Sequence, residues 1–299
     1  MLDKELTKKK LLISFSGGKT SGYMLWWLMN RWQKKDEYDI VVVFANTGKE
    51  SFETLLFVHQ CSVNWNIPII WVEALPVQSK RGKWWGVSHK IVDYFTASRG
   101  KKLINGEFEM TPFEEMIIKL GIPTTNAPFC SDQLKKKAIN SYLKSIGWRS
   151  FYKAIGIRTD ELDRINENYK KLRIFYPLAF LKPTTKIQVN GWWKRQAFIL
   201  QVHEDSGNCD NCWKKDLPRL VRNAERIPES FDWWEFMTLK YGNIQNRKGT
   251  IKLKPPFNFY RGNISPSFIK SLVGFSKNKI NEMAKQHRLN GCSESCEAY

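Results

Sequence analysis

Residues 10–15 (KLLISF) form a short apolar run that stops at Ser16-Gly17-Gly18 and opens at once into a helical pattern, with Met24, Trp27, Leu28 and Trp32 at helical spacing. The sequence then repeats the rhythm. A second apolar run, residues 40–44, ends at Asn46-Thr47-Gly48, a helix is predicted from about residue 51 to 65, and a third strand at 67–73. These runs are apolar throughout rather than alternating, which requires burial on both faces. Strand, helix, strand with doubly buried strands is the pattern of an open parallel α/β sheet with helices on both faces, here of about five strands.

Residues 76–128 are less regular and read as an insertion over the sheet. A helix is predicted at 131–146, a strand at 151–155 that ends in Gly156-Ile157-Arg158, and a last strand at 173–176 before Pro177. The chain therefore divides at about 184. Residues 1–184 form the α/β part. Residues 185–299 form a helical, basic part that carries Cys209, Cys212, Cys292 and Cys296.

A strand that ends in Ser-Gly-Gly and feeds a helix points backbone N–H groups at an anion. The glycines let the backbone approach, and the helix dipole adds attraction. Lys19, Thr20 and Ser21 add charge and hydroxyl donors. A Walker A loop needs a glycine five residues before Gly18, and that position is Ile13, inside the strand.

The formal net charge of +19 favours an anionic partner such as nucleic acid or a nucleotide. Aromatics beside cations, as in Gly191-Trp192-Trp193-Lys194-Arg195 and Cys212-Trp213-Lys214-Lys215, are either base-stacking faces or core residues. There is no apolar run of transmembrane length and no signal peptide, so a membrane partner is not expected. The six cysteines then read as thiols or metal ligands in the cytoplasm rather than as a disulfide framework. Cys209-Asp210-Asn211-Cys212 has the spacing of a soft-metal clamp. By itself it fits zinc, an iron–sulfur cluster or a redox dithiol. Cys61 reads as a packing residue. His59, His89, His203 and His287 are scattered, and His203 stands out by its closeness in sequence to the cysteine pair.

Ser14 to Ser21 (SFSGGKTS) resembles the PP-loop of the adenine nucleotide α-hydrolase superfamily. Three more segments resemble its phosphoadenosine phosphosulfate (PAPS) reductase branch: Asn46-Thr47-Gly48-Lys49-Glu50 with Glu53-Thr54, Cys130-Ser131-Asp132-Gln133-Leu134-Lys135, and Gly156-Ile157-Arg158 with Asp160-Glu161. Tyr176-Pro177-Leu178 resembles the segment that ends the domain, and the overall look is similar to PAPS reductase-like proteins of phages and mobile elements. The resemblance implies a Rossmann-type sheet and an adenine nucleotide, ATP or PAPS or adenylylsulfate (APS). It implies that Ser14, Ser16, Gly17, Gly18, Lys19, Thr20, Ser21, Asn46, Thr47, Gly48, Gly156, Arg158, Asp160 and Glu161 bind it. Lys19, Arg158 and Cys130 would be catalytic, and Asp160 and Glu161 would be candidates for Mg2+. Two positions depart from the pattern: Thr20 stands where an acidic residue is common, and Asn46 replaces the usual aspartate.

The resemblance also bears on the cysteines. In adenylylsulfate reductases a Cys-Cys pair and a later Cys-x-x-Cys pair hold a [4Fe–4S] cluster. Cys130, Cys209 and Cys212 fall at three of those four places, and Phe129 takes the fourth. Cys292 or Cys296 would supply a further metal ligand, act as a nucleophile or persulfide carrier, or be part of a frayed end. The expected function is ATP-dependent adenylation and sulfur transfer to a nucleic acid, tRNA or DNA. One alternative is a sulfonucleotide reductase that releases sulfite, although its C-terminal Glu-Cys-Gly-Leu-His motif is absent. Another is a non-catalytic nucleotide- or nucleic-acid-binding adaptor.

Overall fold

Side chains of the first strand alternate between two cores. In β1 (Lys9–Ser14), Leu11 and Ile13 enter one core and Leu12 the other; in β2 (Tyr38–Asn46), Val42 and Phe44 oppose Val43 and Ala45 in the same way. Burial on both faces is why these runs contain no polar alternation. The computed structural model describes residues 8–78, 85–124, 127–203, 205–207, 209–244 and 255–286.

The remaining strands among these residues are β3 (Ile69–Gln78), β4 (Trp85–Val92), β5 (Tyr152–Ala154) and β6 (Ile174–Phe175). They form a six-stranded sheet of order β4-β3-β2-β1-β5-β6. All neighbours are parallel except β3 and β4, which run antiparallel with Trp71 opposite Val92. Ile13 stands opposite both Val42 and Ala154, which fixes the register at the centre.

The expectation of about five parallel strands is corrected by β4. The segment read as an insertion over the sheet instead extends it. Edge strands are half-exposed, so β4 carries Ser88, His89 and Lys90 among its apolar residues and lacks the doubly buried signature.

The helices are α1 (Lys19–Asn30), α2 (Phe52–Trp65), α3 (Pro112–Leu120), α4 (Lys137–Ser145), α5 (Lys186–Trp193), α6 (Leu217–Arg226), α7 (Asp232–Tyr241), α8 (Pro266–Ser271) and α9 (Lys277–Gln286). Local chemistry sets several boundaries. The Ser51 hydroxyl accepts the Thr54 N–H and starts α2, and Asn66 ends it in the left-handed region at φ 52°. Thr111 caps α3, with Pro112 in its first turn. The predicted helix at 131–146 is two pieces, a π-helical Cys130–Lys136 followed by α4.

Helices cover both faces. Met24 and Leu28 of α1, Leu55 and Val58 of α2 and Trp193 of α5 share one core; Ile117 of α3, Leu143 of α4, Leu220 of α6 and Trp234 of α7 share the other. Residues beyond 185 thus complete both cores of the sheet. The strand order reverses at β1, with β2 and β3 on one side and β5 and β6 on the other. In open α/β sheets ligands bind in the crevice at the carboxyl ends of the strands beside such a reversal. No helix among the described residues is long and apolar enough to cross a membrane.

Candidate functional site

The loop after β1 lies at that reversal. Gly17 has φ +77°, and a Cβ there would come within 2.8 Å of the Thr54 methyl, so glycine is required. The Ser16 and Ser21 hydroxyls are 2.9 Å apart, and Ser21 Oγ donates to the Gly18 carbonyl at 3.1 Å. Gly18 caps α1 without a side-chain bond, and the first turn holds no acidic residue. The positive end of the helix therefore faces the crevice without an internal counter-charge. The Trp193 indole donates to the Lys19 carbonyl at 2.7 Å and ties α5 to this turn. At Gly156 a Cβ would lie 3.2 Å from the Ser21 Cα, so the end of β5 can approach the loop closely.

Arg158 is fixed by three groups. Its guanidinium donates to Thr20 Oγ1 at 2.6 Å and pairs with Asp160 at 2.9 Å and Glu161 at 3.2 Å. Glu161 also pairs with Arg164 at 2.7 Å. Burial works to raise the Asp160 carboxyl, but hydrogen bonds from Arg158 and the Lys186 N–H outweigh it and hold the group below its usual range. Both carboxylates proposed for Mg2+ thus face Arg158, and the hydroxyl of Thr20 takes a guanidinium N–H where an acidic side chain is common in the resemblance.

Ser16, Gly18, Lys19, Thr20, Ser21, Arg158 and Glu161 line one cleft of about 390 Å³, together with Lys186, Asn190 and His203. That volume lies in the range of small-molecule sites. His203, which the sequence places near the cysteine pair, lines this cleft instead. Ser14 is buried at the end of β1 and is not in the lining.

Asn46, Thr47 and Gly48 do not line the cleft. Asn46 is fully buried; its amide donates to Glu73 at 2.6 Å and to the Ser98 carbonyl at 2.9 Å, which ties the end of β2 to β3 and to the residues after β4. Gly48 has φ +80° and packs on Thr111. Thr47 belongs to a second cavity.

That second cavity is small, about 20 Å³ for the centre of a water-sized sphere and so room for about one water, and Cys130, Cys209 and Cys212 all line it, with Thr47, Glu50, Lys135, Trp213 and Trp234 among the other residues. Cys130 opens the π-helical turn, a feature that often marks functional positions. Cys209 is held by strand-like pairing: it bridges Glu50, and the Asp210 N–H donates to the Lys49 carbonyl at 2.9 Å. Among the described residues no three His, Cys, Asp or Glu side chains close on one point as a single metal ion requires. The three sulfurs border a common space instead. Cys61 is a buried thiol elsewhere, pushed up by burial. Cys292 and Cys296, and His287, lie outside the described residues.

The walls of this cavity, with Glu50 and Lys135, and the residues next to them, Lys49 and Asp210, contain charges that sequence reading leaves on the surface. The Glu50 carboxylate accepts from the Thr47 N–H and hydroxyl, both at 2.7 Å, and pairs with Lys135 at 3.5 Å; both side chains are buried. Lys49 is buried with its ammonium 4.6 Å from the centre of the Trp233 ring and 5.9 Å from that of Trp234. Burial pushes Lys49 below its usual range, while Asp210, Cys209 and Glu50 act to raise it. Burial pushes Asp210 up, opposed by Lys49 and Lys215. Lys49, Glu50 and Lys135 sit inside the quoted motifs, but only tertiary burial distinguishes them from solvated charges. Trp193 and Trp213 are core residues at 0% and 3% exposure, which removes them as base-stacking surfaces.

The linings of the cleft and the cavity have no residue in common but come close in sequence. Leu200, Val202, His203 and Gly207 line the first, and Cys209, Cys212 and Trp213 the second. Gly207 and Cys209 are two residues apart, so their Cα atoms lie within about 7 Å.

No family model matches the chain, and no solved structure matches it. It is 31% identical over 298 residues to the uncharacterized nin region protein ORF290 of Escherichia phage lambda, covering 96% of this chain and 94% of that protein.

Proposed function

This chain belongs to the family of the phage lambda nin region protein ORF290, and we propose that it is a PP-loop enzyme that adenylates a nucleic acid and transfers sulfur to it. The observation that carries the reading is a juxtaposition: Gly207 in the lining of a cleft with a phosphate-type loop stands two residues from Cys209 in the lining of a cavity bordered by three cysteines drawn from two distant segments.

In this reading ATP lies in the cleft. The N–H groups at the start of α1 and the Lys19 ammonium hold its phosphates, and Arg158 neutralises charge that builds on the α-phosphorus. Asp160, Glu161 and Thr20 keep the guanidinium in one orientation, so little reorganisation is needed at the moment of reaction. A carbonyl oxygen of the nucleic acid attacks the α-phosphorus, pyrophosphate leaves, and a sulfur nucleophile then displaces AMP. The +19 charge favours the polyanionic substrate.

Cys130, Cys209 and Cys212 suit an iron–sulfur cluster. Soft thiolates from two chain segments are the ligands such a group takes, and the space between them, which holds about one water, would have to widen to admit it. Such a cluster, when bound, would supply an iron with an open position for a sulfur ligand. Lys49 and Lys135 place two buried cations beside the thiolates and offset their charge.

The test is pyrophosphate release from ATP by anaerobically purified protein across a panel of tRNA and DNA. Release that depends on one nucleic acid is expected. No release with any member, or sulfite formation from PAPS or APS with a thiol reductant, overturns the proposal.

A further inference from the structure

Residues 168–203 contain no aspartate or glutamate. They carry seven lysines and arginines, from Lys170 to Arg195, and all seven are exposed. Among the described residues none of the seven pairs with a carboxylate, whereas the next two arginines, Arg219 and Arg222, do. Like charges left without counter-charges repel one another and favour an anion. A face that only keeps the chain in solution needs no apolar side chains. Here Phe180, Leu181 and Ile187 stand among the lysines at 52%, 50% and 83% exposure. Phe180 lies in the π-helical turn Pro177–Leu181, which follows β6 and so sits at the carboxyl edge of the sheet, as the loop cleft does. Its ring stacks on Tyr169 with centres 5.8 Å apart and 27° between the planes, and Tyr176 meets it edge-on at 6.4 Å. The Lys170 ammonium lies 5.8 Å from the centre of the Tyr169 ring.

This strip leads into the cleft. The Thr184 carbonyl accepts from the Thr159 N–H at 3.1 Å and from its hydroxyl at 3.2 Å, next to Arg158. The Lys186 N–H donates to Asp160 at 3.2 Å, and Lys186 lines the cleft with Lys19 and Arg158. From Phe180 to Lys186 the chain reaches at most about 22 Å, the rise of about six stacked nucleotides in one strand. Of the carboxylates just before the strip, Asp160 and Glu161 are engaged by Arg158 and Arg164, and Asp163 and Glu167 are exposed.

Uncompensated cations beside a half-exposed, stacked ring are the two parts that hold a strand with unpaired bases. The cations take backbone phosphates, and the ring takes the face of any base. We propose that this strip is the acceptor-binding surface of the protein: Phe180 stacks on an unpaired base, Lys170, Lys182 and Lys186 hold the phosphates, and the strand runs from there into the cleft. The inference rests on the reading of nucleic acid as the substrate and narrows that substrate to single-stranded or looped-out segments. A duplex keeps its bases stacked on each other and offers Phe180 no free face.

The experiment uses the full chain, purified anaerobically, without ATP. Labelled oligonucleotides of about 12 nucleotides, as single-stranded RNA, single-stranded DNA and duplex DNA, are titrated across a salt series and read by fluorescence anisotropy. Phosphatidylserine vesicles form a further arm. Phe180→Leu removes the ring and keeps apolar bulk. The triple variant Lys170→Gln, Lys182→Gln, Lys186→Gln removes three charges from the strip, and it carries the test if Phe180→Leu fails to fold. Lys8→Gln, Lys9→Gln, Lys34→Gln is the control, with the same charge change among exposed lysines at the amino edge of the sheet. At least one single strand should bind more tightly than the duplex, and the tighter of the two names the acceptor. Phe180→Leu should weaken that binding about fivefold or more, the loss of one base stack. The strip triple variant should make the slope of log affinity against log salt shallower by about 2, from three lost phosphate contacts. The control should change neither by as much. Equal affinity for duplex and single strands, binding of vesicles in place of strands, or a control that loses as much as the strip variant overturns the inference. Pyrophosphate release that depends on a nucleic acid but is unaltered in both strip variants overturns the strip and leaves the substrate reading intact. Wild type that neither binds nucleic acid nor releases pyrophosphate with it overturns both.

Discussion

The two cavities at the carboxyl edge of the sheet differ in how complete they are. The side chains of the loop cleft are bonded to one another: Ser16 to Ser21, Ser21 to Gly18, and Arg158 to Thr20, Asp160 and Glu161. The cysteine cavity instead is lined by three thiols and a buried Glu50–Lys135 pair, with a second buried lysine, Lys49, against the face of Trp233 nearby. A site of the first kind is preorganised and stands without its ligand, so its residues govern binding and rate. A site of the second kind is finished by what it binds, so its residues also govern stability. The difference teaches that loss of ligand should cost this protein more at the cysteines than at the loop.

The largest effect is expected at the cysteines. Cys130→Ala, Cys209→Ser or Cys212→Ser should each remove bound metal and lower sulfur transfer by about 100-fold or more, since even groups behind a metal ligand are worth about 10- to 100-fold. Metal analysis and turnover read this. Retained metal in all three variants would contradict the contrast between the cavities.

Gly17→Ala comes next. It forces a side chain into a positive-φ position 2.8 Å from Thr54, so a loss of about 1–3 kcal/mol is expected by thermal or urea unfolding. A variant as stable as wild type would mean that the turn is not held as described.

Arg158→Ala should weaken ATP binding by about tenfold, as expected for loss of one charged hydrogen-bonding group, with little change in metal content. Calorimetry and metal analysis separate the two. Loss of metal together with nucleotide affinity would show that cleft and cavity are one unit.

The smallest effect concerns the segment between His203 and Gly207. Asp205 is held below the usual carboxylate range chiefly by the Arg222 guanidinium, which donates to it at 2.6 and 3.0 Å. A depressed carboxylate contributes stability above its unfolded value of about 3.9, and this is lost as pH falls through the lower folded value. Arg222 is half-exposed, so the contribution is at most about 1 kcal/mol. Asp205→Asn should therefore lower neutral stability by up to about 1 kcal/mol, a loss that fades as pH falls, so the acid limb of the stability–pH profile becomes slightly flatter. A steeper acid limb in the variant would contradict the assignment.

Much of this arrangement was legible in the sequence because burial on both faces writes a simple signal. The runs that became β1, β2 and β3 could hardly be anything else, and Gly17 and Gly18 marked the loop. β4 was illegible because an edge strand needs only one apolar face. The π-helical turn at Cys130 was illegible because its spacing differs from an α-helix by a single residue per turn. Asn46 shows a subtler limit. Its motif position suggested nucleotide binding, whereas its amide is spent on Glu73 and Ser98, partners 27 and 52 residues away. Lys49 was passed over for the opposite reason. A lysine in a polar turn reads as solvated, and only the packing of Trp233 and Trp234 from α7 makes it a buried cation beside Cys209.

The contrast between a finished cleft and an unfinished cavity is tested most directly by what the cavity holds. Anaerobically purified protein should contain iron and acid-labile sulfide in matching amounts, roughly four of each per chain for a [4Fe–4S] group, with a brown absorption lost in Cys209→Ser. Protein with zinc alone, or with neither metal nor sulfide under those conditions, would contradict the account.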